Sequence, residues 1–86
     1  MHTVELLEEA LFLAAKLGYR MREEWLEGRG GGGCQIHGQK WIFLDLALSA
    51  DEQLDQVLDT LRADPAASNA STNSELRRLL DVKKIA

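Results

Sequence analysis

Cys34-Gln35-Ile36-His37-Gly38-Gln39-Lys40-Trp41-Ile42-Phe43-Leu44-Asp45-Leu46 is the stretch that decides the fold. Two strand-like runs, residues 34–36 and 40–46, flank the dipeptide His37-Gly38. Histidine tolerates a left-handed backbone and glycine adopts one freely, so the pair reads as a two-residue hairpin turn. Closing the hairpin on Ile36 and Gln39, or on Ile36 and Trp41 if the loop moves by one, puts Cys34, Ile36, Trp41 and Phe43 on one face. The opposite face carries Gln35, Lys40, Ile42, Leu44 and Leu46. The longer strand is therefore apolar on both sides.

On the N-terminal side, residues 19–26 change to a period of two. Tyr19, Met21 and Trp25 alternate with Arg20, Arg22 and Glu24, as in a half-exposed strand. Before them, Val4, Leu7, Leu11, Ala14 and Ala15 recur at helical spacing over residues 3–17, with Thr3 as a candidate N-cap and Gly18 as a stop. Between the first strand and the hairpin lies Gly28-Arg29-Gly30-Gly31-Gly32-Gly33, which cannot continue either element.

On the C-terminal side, Ser49-Ala50-Asp51-Glu52 is a capping box, and Leu54, Val57, Leu58 and Leu61 form the apolar stripe of the helix it opens. Pro65 ends that helix. Residues 64–73 are small and polar and read as a flexible linker. Leu76, Leu79 and Leu80 follow on a short amphipathic helix, with Thr72 and Glu75 as a candidate box. The expected fold is α+β: helix, three-stranded antiparallel meander, helix, then a short C-terminal helix. Residues 1–63 form the compact domain, 64–73 the linker and 74–86 the tail.

Two helices flanking a meander cover one sheet face. Cys34, Ile36, Trp41 and Phe43 are apolar on both hairpin strands, so that face is expected beneath the helices. Ile42, Leu44 and Leu46 then need another cover, because exposing three such side chains is adhesive. The tail helix, through Leu76, Leu79 and Leu80, a second copy of the chain, or another protein could supply it. These six leucine and isoleucine positions are the candidate interface, and the expected state is a homo-oligomer, a dimer first.

Composition narrows the function classes. The chain has 86 residues, 45% hydrophobic and 28% charged, with a formal net charge of −4. The acidic balance argues against nucleic acid, whose phosphates call for clustered Lys and Arg. No apolar run reaches the roughly 18 residues of a membrane span. The absence of a signal-peptide pattern and a single cysteine, Cys34, lead to an expected cytoplasmic location.

No motif specifies a reaction. The glycine run matches neither Gly-x-Gly-x-x-Gly with its following helix nor a P-loop. It reads first as a connector between strands, and second as an anion loop using Arg29, Gly31 and Gly32 with Asp45 near by. Cys34 and His37 have a C-x-x-H spacing, but one Cys and two His do not make a structural zinc site, and no cofactor is implied. In the hairpin register Cys34 and His37 also point to opposite faces, which disfavours a catalytic pair. The sequence thus favours a non-catalytic interaction or scaffold domain that self-associates. The alternative is a small-ligand or anion-binding domain with its site between the glycine loop and Asp45.

Overall fold

The computed structural model describes residues 2–28 and 31–82. In chain order it has α1 (Thr3–Lys16), β1 (Tyr19–Glu24), β2 (Gly32–Ile36), β3 (Gln39–Asp45), α2 (Ala50–Arg62), α3 (Pro65–Ser68) and α4 (Ser74–Asp81). The fold is α+β, as the periodicities indicated. Caps explain most of the helix boundaries. Ser49 Oγ accepts from the Glu52 N–H at 3.3 Å, while the Glu52 carboxylate accepts from the Ser49 N–H at 3.2 Å. At α1 the cap is His2 rather than Thr3, leaving the Thr3 hydroxyl to donate to Asp51 and tie α1 to the start of α2. At α4 the cap is Asn73, whose side chain accepts from the Leu76 N–H at 2.8 Å, in place of a Thr72 box.

The hairpin closes as the His37-Gly38 dipeptide requires. Both residues have positive φ, 50° and 81°, and Ile36 pairs with Gln39. The sheet, however, is not an antiparallel meander. Its strand order is β1-β3-β2, with β2 antiparallel to β3 and β1 parallel to it. The strand that is apolar on both sides takes the centre, where it gains hydrogen-bonded neighbours along both edges. The connection from β1 to β2 must then pass over the C-terminal end of β3.

The register with β1 decides which face is buried. Met21 lies beside Ile42 and Tyr19 beside Lys40, whereas Arg20 lies beside Trp41 and Arg22 beside Phe43. The face holding Ile42 and Leu44 therefore acquires an apolar residue from the third strand, and the other face acquires two arginines. Ile42 and Leu44 are 0% and 4% exposed and join Leu6, Leu7 and Leu13 of α1 and Leu54, Val57, Leu58 and Leu61 of α2. The expectation that Cys34, Ile36, Trp41 and Phe43 pack beneath the helices is thus reversed: they lie on the far side of the sheet.

The same core continues into α4 through Leu76 and Leu80, with Leu79 packed against it. Within the stretch read as a linker, residues 65–68 form a helical turn capped by Asp64 and started by Pro65. Two arginines fasten this region. Arg62 donates to the Leu79 carbonyl from both Nε and Nη2, at 3.2 and 2.7 Å. Arg77 donates to the carbonyls of Ala67 and Ser68. Among the described residues, no helix is long and apolar enough to cross a membrane.

Candidate functional site

The glycine-rich connection and Asp45 do meet, but the chain uses both internally. Asp45 is the last residue of β3 and is fully buried. Its Oδ1 accepts from the N–H groups of Leu26 and Ala47 at 3.0 and 2.9 Å, and its Oδ2 accepts from Gly28 N–H at 2.8 Å. An anion-cradling loop is present in chemical terms, and the anion is the chain's own carboxylate. This pins the connection as it crosses the end of β3 and lets Leu46 N–H continue the β1 ladder by donating to the Glu24 carbonyl at 2.9 Å. Of the candidate anion contacts, Arg29 lies outside the described residues. Gly31 has a different use: a Cβ there would run into the Phe43 carbonyl oxygen. Gly33 is needed for the same kind of reason, since its Cβ would sit 2.5 Å from Thr60 Cγ2 of α2. Gly32 has φ +100° with open space beside it.

The candidate interface residues divide in the same way. Ile42, Leu44, Leu76 and Leu80 are core residues of this one chain, and Leu79 is packed against them. Leu46 is exposed, at 36%. Val4 and Phe12 of α1 and Val82 past α4 are exposed elsewhere, while the opposite sheet face lies outside the core, with Trp41 and Phe43 half-buried on it. There Trp41 and Phe43 stack with ring centroids 6.0 Å apart and planes inclined by 17°. The Arg20 guanidinium sits over the Trp41 ring at 5.9 Å, within cation–π range. Cys34 and Ile36 are exposed on the same face, Ile36 at 44%. Arg22 and Glu24 form an ion pair of 2.7 Å at its β1 border. Trp25, just past β1, is 72% exposed. Aromatic rings flanked by arginine are the residue types enriched at the centres of protein interfaces.

A second feature, absent from the sequence reading, lies on the helix side of the sheet. A groove of about 410 Å³ runs between β2 and the end of α2, lined by Tyr19, Gly33, Gln35, Lys40, Thr60 and Asp64 among others. The Tyr19 hydroxyl donates to Asp64 Oδ2 at 2.7 Å, and Lys40 Nζ donates to the same oxygen at 3.0 Å. Burial, reinforced by the hydrogen bond to Asp64 and its charge, pushes the Tyr19 phenol up to about 12. Asp64 is held below the usual carboxylate range by the Tyr19 hydrogen bond first, then by the one from Lys40. A phenol so raised is no base near neutral pH, and the lysine's charge is balanced by its partner. The trio acts as a clamp joining β1, β3 and the α2–α3 corner. Asp64 was legible only as the residue before a proline; its role as both N-cap and ion-pair partner needed the fold.

Among the described residues no group of three or more His, Cys, Asp or Glu side chains is placed to hold a metal ion. No family model matches the chain, and neither a curated protein nor a solved structure matches it.

Proposed function

We propose that this chain is a non-catalytic interaction domain whose working surface is the uncovered sheet face, with the stacked Trp41 and Phe43 at its centre and Arg20, Cys34 and Ile36 around them. The observation that carries this reading is the division of the sheet. One face is consumed by α1 and α2, while the other keeps two aromatic rings and an isoleucine outside the core. Apolar surface of that kind is stabilised by contact with a partner, at roughly 25 cal/mol per Å² of area removed from water. The partner this face suits is a protein surface that offers apolar groups to the rings and a carboxylate to Arg20. The chemistry elsewhere agrees, because Asp45 is occupied by its own loop and the Tyr19–Asp64–Lys40 trio is self-neutralised.

Photo-crosslinking from position 22, which lies beside Phe43 on the β1 side of this face, in the native cell extract tests this. The wild-type surface should give a discrete crosslinked product that the double variant Trp41→Ser, Phe43→Ser loses while keeping its circular dichroism spectrum. A product unaffected by that double variant would refute the assignment of this face. So would a melting shift with a small anion that disappears in Lys40→Met, which would instead assign function to the groove.

A further inference from the structure

The two free edges of the sheet differ sharply. β1 reads Tyr-Arg-Met-Arg-Glu-Glu, with four charged residues in six, while β2 reads Gly-Gly-Cys-Gln-Ile, with no charge and no proline. Edge strands offer unpaired N–H and C=O groups, and proteins ordinarily blunt them with charges, prolines or bulges. β1 is blunted in this way and β2 is left bare.

The turn fixes which groups β2 exposes. A two-residue turn is closed by hydrogen bonds between its flanking residues, here Ile36 and Gln39. Hydrogen-bonded and non-hydrogen-bonded pairs alternate from there along an antiparallel ladder. Cys34–Trp41 and Gly32–Phe43 are therefore bonded pairs, and Gln35–Lys40 and Gly33–Ile42 are not. The backbone N–H and C=O groups of Gly33 and Gln35 consequently point outward, placed symmetrically about Cys34.

Where α2 meets this edge it does so through uncharged side chains. Gly31 and Gly33 abut Gln56 and Thr60. The helical repeat puts Ala63 on the same side. Arg62, by contrast, is turned to Asp59 and to the Leu79 carbonyl of α4.

We propose that β2 pairs antiparallel with β2 of a second copy, across a two-fold axis passing at Cys34, to make one continuous six-stranded sheet. The symmetry of the exposed groups favours this occupant. A two-fold axis at Cys34 sets Gly33 against Gln35 of the second copy and Gln35 against Gly33, which satisfies every outward group of both residues at once. It also overlaps the two strands over their full Gly32–Ile36 length. Any other register leaves part of the edge unpaired. The groove beside β2 receives the Gln35 side chain of the second copy, and the two open aromatic faces become one surface. The two Cys34 residues then oppose each other as a non-hydrogen-bonded pair with Cα atoms about 4.5 Å apart, within the roughly 4.4–6.8 Å that a disulfide spans.

Sedimentation of the full chain at high micromolar concentration should give twice the monomer mass. Added diamide should take two electrons from the two thiols, with loss of their two protons, to form one intermolecular Cys34–Cys34 bond in most of the protein. Gln35→Pro deletes an outward N–H in each copy without touching the β3 ladder. It should weaken association by at least about tenfold, because each lost donor leaves an acceptor unpaired, and crosslinking should fall with it. In a Cys34→Ser background, Ile36→Cys should crosslink poorly, since residue 36 opposes residue 32.

A monomeric mass would overturn the proposal. So would a dimer that crosslinks equally well through position 36, or one indifferent to Gln35→Pro, since either would mean face-to-face association or chance collision. These readouts are separate from the capture assay on Trp41 and Phe43, so either reading can fail alone.

Discussion

Replacing Asp45 by Asn tests whether that carboxylate is a structural anchor. The substitution is nearly isosteric, so it creates no cavity and changes only charge and donor pattern. The carboxylate accepts at least three backbone N–H bonds in a fully buried position. If the Asn carbonyl takes the place of Oδ1, Leu26 and Ala47 keep an acceptor, but the amide NH₂ then faces the Gly28 N–H, donor against donor. The opposite flip strands two donors instead. A hydrogen bond to a charged group contributes about 1.5–3 kcal/mol and a stranded buried donor costs about 1–3 kcal/mol. The expected loss is therefore about 3 kcal/mol. A chain of this size has roughly 4–13 kcal/mol in total at 0.05–0.15 kcal/mol per residue. Urea unfolding should show the midpoint fall, and amide exchange should quicken at Gly28 before it does in α2. A stability within about 0.5 kcal/mol of wild type would refute the anchor role. A gain in stability would point instead to a charge kept for function at the expense of the fold.

Three other perturbations follow from close contacts. Gly33→Ala forces a methyl group against Thr60 and should cost about 1–3 kcal/mol in the same assay, with Thr60→Ser recovering part of it by removing Cγ2. Tyr19 has a folded pKa of about 12 against an ordinary 10.0. A group raised in this way contributes stability that is complete below pH 10 and is lost as pH rises through about 12. Melting temperature should decline across that window and Tyr19→Phe should abolish this component. Asp64, lowered in the fold, contributes above the ordinary carboxylate range and loses its contribution as pH falls through its depressed value, so Asp64→Asn should flatten the acid limb.

The hairpin and the α2 capping box could be read directly, because His37-Gly38 and Ser49-x-x-Glu52 each specify a backbone geometry from four residues or fewer. Strand order was not legible in the same way. The signal for it was present in the double-sided apolarity of residues 40–46, which marks a central strand, yet the same pattern also fits an edge strand covered twice. The choice between faces depended on Met21 rather than Arg20 lying beside Ile42, a register set by a long-range parallel pairing that no local motif encodes. The glycine run was legible as a connection. Its necessity at positions 31 and 33 comes from the approach of Phe43 and Thr60. The Tyr19–Lys40–Asp64 clamp joins residues up to 45 positions apart and left no trace in periodicity.

The central claim is that Ile42 faces the helices and Trp41 faces away, and one comparison of unfolding free energies tests it. Ile42→Ala removes a fully buried side chain and should cost about 2–5 kcal/mol. Trp41→Ala, half-buried on the other face, should cost less than Ile42→Ala, because it removes an aromatic pair of about 0.5–1.5 kcal/mol and only part of the side chain's burial. The reverse order would contradict the account, because it would place Trp41 in the core and take the stacked pair away from the surface offered to a partner.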